Sequence, residues 1–148
     1  MLNIDLSGRT ALVTGGSGEL GRVMVRTLAQ AGADVAINYY RNEAKAKELV
    51  EQVKAMGRAA TAVRADITNR DDVFAMRDTV AQELAAPDII VNNAVIQYKW
   101  TSVLEQSEAD YESQFRSCVM QNVLMAKAFV PGMIEGGCGR VSAISTEC

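Results

Sequence analysis

Residues 14–21 read TGGSGELG, and within them Gly16, Gly18 and Gly21 have the spacing G-x-G-x-x-G. Glycine at these places lets the backbone do what side chains forbid. The first permits a tight turn, the second lets the chain approach a pyrophosphate, and the third lets a helix pack closely on a strand. The anion then rests against the free N–H groups and the positive dipole end of that helix. The expected chemistry is dinucleotide binding, with Gly15, Gly16, Ser17, Gly18, Glu19, Leu20 and Gly21 around the phosphates. Glu19 puts a carboxylate at the helix start, where it complements the dipole but repels a phosphate. Proton chemistry is restricted, because the chain holds no histidine. That excludes Ser-His-Asp and Cys-His arrangements and imidazole metal sites, leaving Tyr, Lys, Cys or carboxylates.

The motif works only between a strand and a helix, and the flanking residues supply both. Residues 9–13 are a short apolar strand. Leu20, Val23, Thr27, Leu28 and Ala31 recur at helical spacing after it. The alternation then continues. Strand residues 34–38 precede a helix over about 43–56, with Ala46, Leu49, Val50 and Val53 on one face and Gly57 as its cap. A strand at 60–64 follows, and Thr68 with Asp71 predicts a capped helix carrying Val73, Phe74, Val80 and Leu84. Pro87 precedes a buried strand at 88–91. Ser107 and Asp110 open a long helix running towards Met133, with a kink expected near Pro131. A last strand is expected at 140–144. Such alternation predicts an α/β fold: a doubly wound, Rossmann-type parallel sheet of about five strands with helices on both faces. Residues 1–148 read as one domain, with ligand expected at the carboxyl ends of the strands.

Composition narrows the partners. The chain has 148 residues, 49% of them hydrophobic, and a formal charge of −3. Basic residues are scattered, so no nucleic-acid surface is expected. No uninterrupted apolar run reaches the ~18 residues of a membrane span, so no membrane partner is expected. The start of the chain lacks the basic and apolar regions of a secretory signal. Cys118, Cys138 and Cys148 have no metal-like spacing and an odd count, which reads as reduced thiols in the cytoplasm and no metal site.

Five stretches resemble the short-chain dehydrogenase/reductase family, in particular its 3-oxoacyl-carrier-protein-reductase-like members. TGGSGELG is similar to the family's glycine turn, in the spelling T-G-x-x-G-x-x-G. Asp66-Ile67 resembles the pair after the third strand that contacts adenine in the family; from the residues alone Asp66 also reads as preparation for the next helix cap. Asn92-Asn93-Ala94 resembles N-N-A-G, which borders the cofactor. Val95 replaces that glycine, and a branched side chain disfavours φ > 0, so the loop should take another path or narrow the nicotinamide pocket. Alignment on Tyr111, Pro131 and Met133 puts Cys118 where the family has a catalytic Asn that anchors a relay water. A thiol replaces it poorly. Residues 139–146 resemble the fifth strand with its catalytic Ser; register puts Thr146 there, with Ser145 just before. Ordinary strand-end hydroxyls fit these residues as well.

The resemblance implies hydride transfer between a nicotinamide dinucleotide and a small carbonyl or alcohol substrate. It also implies a Tyr-x-x-x-Lys proton donor after the Ser, and none of the four tyrosines has Lys four residues on. The chain therefore reads as the N-terminal, cofactor-binding part of such an enzyme. NADP is expected over NAD. The position ~20 residues past the glycines, where an acid selects NAD, falls on Tyr39, preceded by Asn38, and no acid is present. Arg41 lies close enough to receive a 2′-phosphate, although it also reads as a solvated loop residue. An exposed last strand and the apolar helix at 111–133 predict a homo-oligomer. Two other readings stand beside the enzyme: a non-catalytic, regulatory dinucleotide-binding module, favoured by Cys118 and Val95, and a structural partner that no longer binds ligand.

Overall fold

A computed structural model describes residues 4–99 and 101–145. Five strands form one sheet in the order β3-β2-β1-β4-β5. They are β1 (Thr10–Val13), β2 (Asp34–Tyr39), β3 (Ala60–Arg64), β4 (Ile89–Asn92) and β5 (Arg140–Ala143). Every neighbouring pair is parallel. The strand order reverses between β1 and β4, which opens a crevice at the carboxyl ends of those two strands.

Residue alternation decides which helix covers which face. In β1, Ala11 and Val13 point to one side, where they join Val35 and Ile37 of β2. On that side lie α1 (Glu19–Gln30), through Val25 and Ala29, and α2 (Glu43–Ala55), through Ala46, Leu49, Val50 and Val53. Leu12, Ala36, Val63 and Ile90 point the other way. They are covered by Val73, Met76 and Val80 of α3 (Arg70–Glu83) and by Met125, Ala128, Phe129 and Met133 of α5 (Gln121–Glu135). Parallel strands buried on both faces need near-continuous apolar runs, and β1 is buried throughout.

Several local expectations shift. The buried face of α1 is Gly21, Val25 and Ala29, whereas Leu20 and Val23 are each 52% exposed. The N-cap of α3 is Asn69, not Thr68: its side chain accepts from the N–H groups of Asp71 and Asp72. Thr68 instead donates its hydroxyl to Asp66. Ser107 does cap α4 (Glu108–Phe115), accepting from the N–H of Asp110. Gly57, at φ +79°, takes the left-handed conformation that ends α2.

The long helix is not interrupted at Pro131, which sits inside α5. Its departure from α-helical bonding comes earlier, in a π-helical turn at Arg116–Met120. Read through that turn, Glu108–Glu135 forms a helix of 28 residues, and an 18-residue window within it has a mean hydropathy of 1.2, enough by length and composition to cross a membrane. That differs from the expectation drawn from uninterrupted apolar runs. The same helix packs Met125, Ala128, Phe129 and Met133 into the core, as a sheet-covering helix must. Among the described residues β5 pairs only with β4, and all four of its residues are exposed.

Candidate functional site

The glycine turn lies between the ends of β1, β2 and β4, and side chains from each hold it. Asn38, buried at the end of β2, accepts the N–H of Gly15 on its Oδ1 (3.1 Å). Its Nδ2 donates to the carbonyl of Ala65 (3.1 Å), so one amide ties the turn to the ends of two strands. Thr14 Oγ1 accepts the N–H groups of Asn93 (2.9 Å) and Ala94 (3.0 Å). Asn93 Nδ2 returns to the carbonyl oxygens of Thr14 (3.0 Å) and Gly15 (3.3 Å). Gln121, buried on α5, donates to the Ala94 carbonyl (2.6 Å) and accepts from Thr14 Oγ1 (3.3 Å). Thr14, Asn38 and Gln121 are the supports the sequence reading missed. The signal was available: polar residues inside otherwise apolar runs, where burial demands partners.

The glycines divide the work differently from the motif's usual account. The left-handed turn residue is Gly15, at φ +60°, and a Cβ there would stand 3.0 Å from Ala94 Cα. Gly16 is a packing position, because a Cβ would lie 2.9 Å from Ile37 Cγ2 and 3.1 Å from the Val13 carbonyl oxygen. Gly21 is tighter still: a Cβ would sit 2.3 Å from the Gly15 carbonyl oxygen and 2.8 Å from Gly16 Cα. Gly18 caps α1 with extended backbone, and its only neighbour within reach of a Cβ is the Gly15 carbonyl oxygen at 3.2 Å. The space beyond is open.

That open space is polarised. Among the described residues the N–H groups of Ser17, Glu19, Leu20 and Gly21 find no protein acceptor, while Gly16 donates to Asn38 and Gly18 to Gly15. Unpaired N–H groups at a helix start attract an anion. The Glu19 carboxylate is exposed and ion-paired with Arg22. Its repulsion of a phosphate is thereby partly offset.

Around this cradle the other expected residues sit as follows. Asp66 caps the turn after β3: its Oδ1 accepts both the N–H (2.9 Å) and the hydroxyl (2.7 Å) of Thr68. Ile67 is buried beside it. Tyr39 is buried in the layer under α2, so the exposed groups at that end of β2 are Tyr40 and Arg41. Val95 is exposed and does not take a positive φ, so the loop follows a path that needs no glycine. Cys118 is exposed at the centre of the π-helical turn and donates its thiol to Gln114 Oε1 (3.0 Å). Its carbonyl accepts from Asn122 Nδ2 (2.7 Å), and Asn122 Oδ1 accepts in turn from Asn92 Nδ2 (2.7 Å). Ser145 is exposed after β5, and Thr146 lies outside the described residues.

A concavity of about 630 Å³ between α2, β3 and Glu83 lies along the outer edge of the sheet, away from the glycine turn.

A family model for short chain dehydrogenases matches residues 9–147. The chain belongs to the short-chain dehydrogenase family. Among family members, a short chain dehydrogenase of Pseudocercospora fijiensis is 36% identical over 143 residues, 96% of this chain and 46% of its own length. A 3-oxoacyl-[acyl-carrier-protein] reductase of Staphylococcus aureus is 40% identical over 88 residues, 60% of this chain and 36% of its own. The chain thus spans less than half the length of these two relatives. A crystal structure of a gluconate 5-dehydrogenase from Burkholderia cenocepacia, in complex with NADP and tartrate, superposes with a TM-score of 0.87 at 33% identity. The match covers 97% of this short-chain dehydrogenase chain and 56% of that one.

Proposed function

We propose that these residues form the NADP(H)-binding part of an oxidoreductase that interconverts a small carbonyl compound and its alcohol. The observation that carries the reading is the cradle: four uncommitted N–H groups at the start of α1, beside a glycine whose side-chain position is open. The relative solved with NADP supports the choice of cofactor. The chemistry of the end of β2 does so too. No acid follows Tyr39 until Glu43, and Glu43 is ion-paired with Lys47 (2.7 Å).

In this reading Ser17, Glu19, Leu20 and Gly21 bind the pyrophosphate through backbone N–H groups. Asp66 faces the adenine with the carboxylate oxygen left free by Thr68. Arg41 holds the 2′-phosphate. Asn93 and Ala94 fix the wall of the crevice between β1 and β4. When bound, NADP(H) supplies or accepts a hydride at its nicotinamide. Ser145 or Thr146 donates a hydrogen bond to the substrate carbonyl, and Cys118 stands at the relay position beside Asn122. A non-catalytic dinucleotide-binding module is the second reading, favoured by Cys118 in that place.

Self-association is part of the proposal. Tyr111, Phe115, Val119 and Val123 are exposed and spaced four residues apart along α4, the π-helical turn and α5. Such a stripe fits the same stripe of a second copy. We place the protein in the cytoplasm, in keeping with the free thiols of Cys118 and Cys138.

Arg41→Ala tests the cofactor assignment. It should weaken NADPH binding by about tenfold, the scale of one charge-assisted contact, and leave NADH binding within twofold. Equal losses for both cofactors would remove Arg41 from the 2′-phosphate.

A further inference from the structure

Arg64, the last residue of β3, does something at the end of β2 that sequence spacing does not reveal. Its Nε donates to the carbonyl of Tyr40 (3.1 Å), and its guanidinium carbon lies 5.5 Å from the centroid of the Tyr40 ring. The guanidinium carbon of Arg41 lies 5.9 Å from the same ring. The preceding carbonyl, that of Tyr39, is held by the N–H of Ala65 (3.1 Å). Two successive carbonyls leaving β2 are therefore fastened to the end of β3, the second by a side chain. Neither Arg41 nor Arg64 pairs with a carboxylate among the described residues. Both guanidinium groups lie over the Tyr40 ring, a contact that leaves each of them charged. Guanidinium groups left charged and oriented in this way suit bidentate capture of a phosphate.

We propose that Arg64 is a specificity-determining positioning residue: by clamping Tyr40 it fixes the turn that presents Arg41, and so sets the preference for a 2′-phosphorylated adenosine. This rests on the dinucleotide reading above. An arginine is required, because the role combines a planar group for the ring with a directed N–H for the carbonyl. Lysine keeps the charge but has one nitrogen and no planar group, so it cannot lie along the ring and serve the carbonyl in the same geometry.

The test is calorimetric binding of NADPH, NADH, 2′,5′-ADP and 5′-AMP to wild type, Arg64→Gln, Arg64→Lys, Arg41→Ala and the double variant Arg41→Ala/Arg64→Gln. Arg64→Gln and Arg64→Lys should each lower the NADPH-to-NADH preference by about fivefold. The ratio of 2′,5′-ADP to 5′-AMP affinity should fall in parallel, with NADH affinity within twofold of wild type. In the Arg41→Ala background, Arg64→Gln should cost nothing further, because its effect passes through Arg41. Full additivity in the double variant, or an Arg64→Lys that behaves as wild type, would overturn the positioning role. An unchanged preference in Arg64→Gln would overturn it as well, while leaving the dinucleotide site standing. Failure of wild type to bind either dinucleotide would defeat the underlying reading and this inference together.

Discussion

Residues 1–148 are expected to bind NADPH and yet to show no steady reduction of ketones or β-ketoacyl thioesters. Hydride delivery to a carbonyl leaves an alkoxide that must gain a proton, and a positioned general acid is worth ~10²–10⁴-fold. Among these residues there is no histidine and no Tyr-x-x-x-Lys. Of the tyrosines, Tyr39 is buried in the core, and Tyr40, at the end of β2, has the guanidinium groups of Arg41 and Arg64 over its ring. Cys118 offers a thiol that already donates to Gln114. Ser145 and Thr146 can donate a hydrogen bond, but with no relay behind them they cannot recover a proton. A longer polypeptide that continues into a Tyr-x-x-x-Lys segment should turn over, and in it Cys118→Asn should raise the rate. Robust NADPH-dependent reduction by residues 1–148 that survives Ser145→Ala and Thr146→Ala would contradict this account of the chemistry.

The second large effect separates two glycines of one motif. Gly21→Ala should destabilise the fold by about 1–3 kcal/mol, the usual scale of overpacking, because its Cβ would lie 2.3 Å from the Gly15 carbonyl oxygen. The neighbours that would have to move are backbone atoms, and they cannot yield cheaply. Gly18→Val should destabilise less than Gly21→Ala, because its Cβ would meet only the Gly15 carbonyl oxygen, at 3.2 Å, beside the smaller loss from changing the helix cap. Its backbone is extended, at φ −76° and ψ 174°, which a branched residue adopts freely. Its side chain would instead fill the cradle beneath the N–H groups of α1, and dinucleotide binding should be lost. Thermal unfolding followed by calorimetry checks both. Equal destabilisation by the two substitutions would mean that Gly18 is a packing residue and not part of an anion site.

Much of this architecture was legible in the residues. Strand and helix alternation gave the parallel sheet, since apolar runs such as 10–13 and 34–39 are what strands buried on both faces require. The face of α2 followed from Ala46, Leu49, Val50 and Val53. The face of α1 did not. Leu20 and Val23 have the apolar type and helical spacing, yet the buried face is Gly21, Val25 and Ala29, with Gly21 where a Cβ would meet the backbone of the glycine turn. The cap of α3 moved by one residue because Asn69 competes with Thr68 for the same N–H groups. The π-helical turn has no sequence signature, whereas Pro131 suggested a kink that α5 does not need near its end. At the site, the glycine turn between β1 and α1 could be read from spacing. Long-range partners could not: Asn38 reaches Ala65, Gln121 reaches Ala94, and Arg64 reaches Tyr40 only because β1, β2, β3 and β4 end side by side.

Titration of residues 1–148 with NADPH and with NADH in a calorimeter tests the central claim most directly. We predict that both bind, NADPH the more tightly, and that Gly18→Val binds neither while remaining folded. Failure of the wild-type chain to bind either nucleotide at millimolar concentration, or binding by Gly18→Val equal to wild type, would contradict the assignment of the α1 cradle as a dinucleotide site.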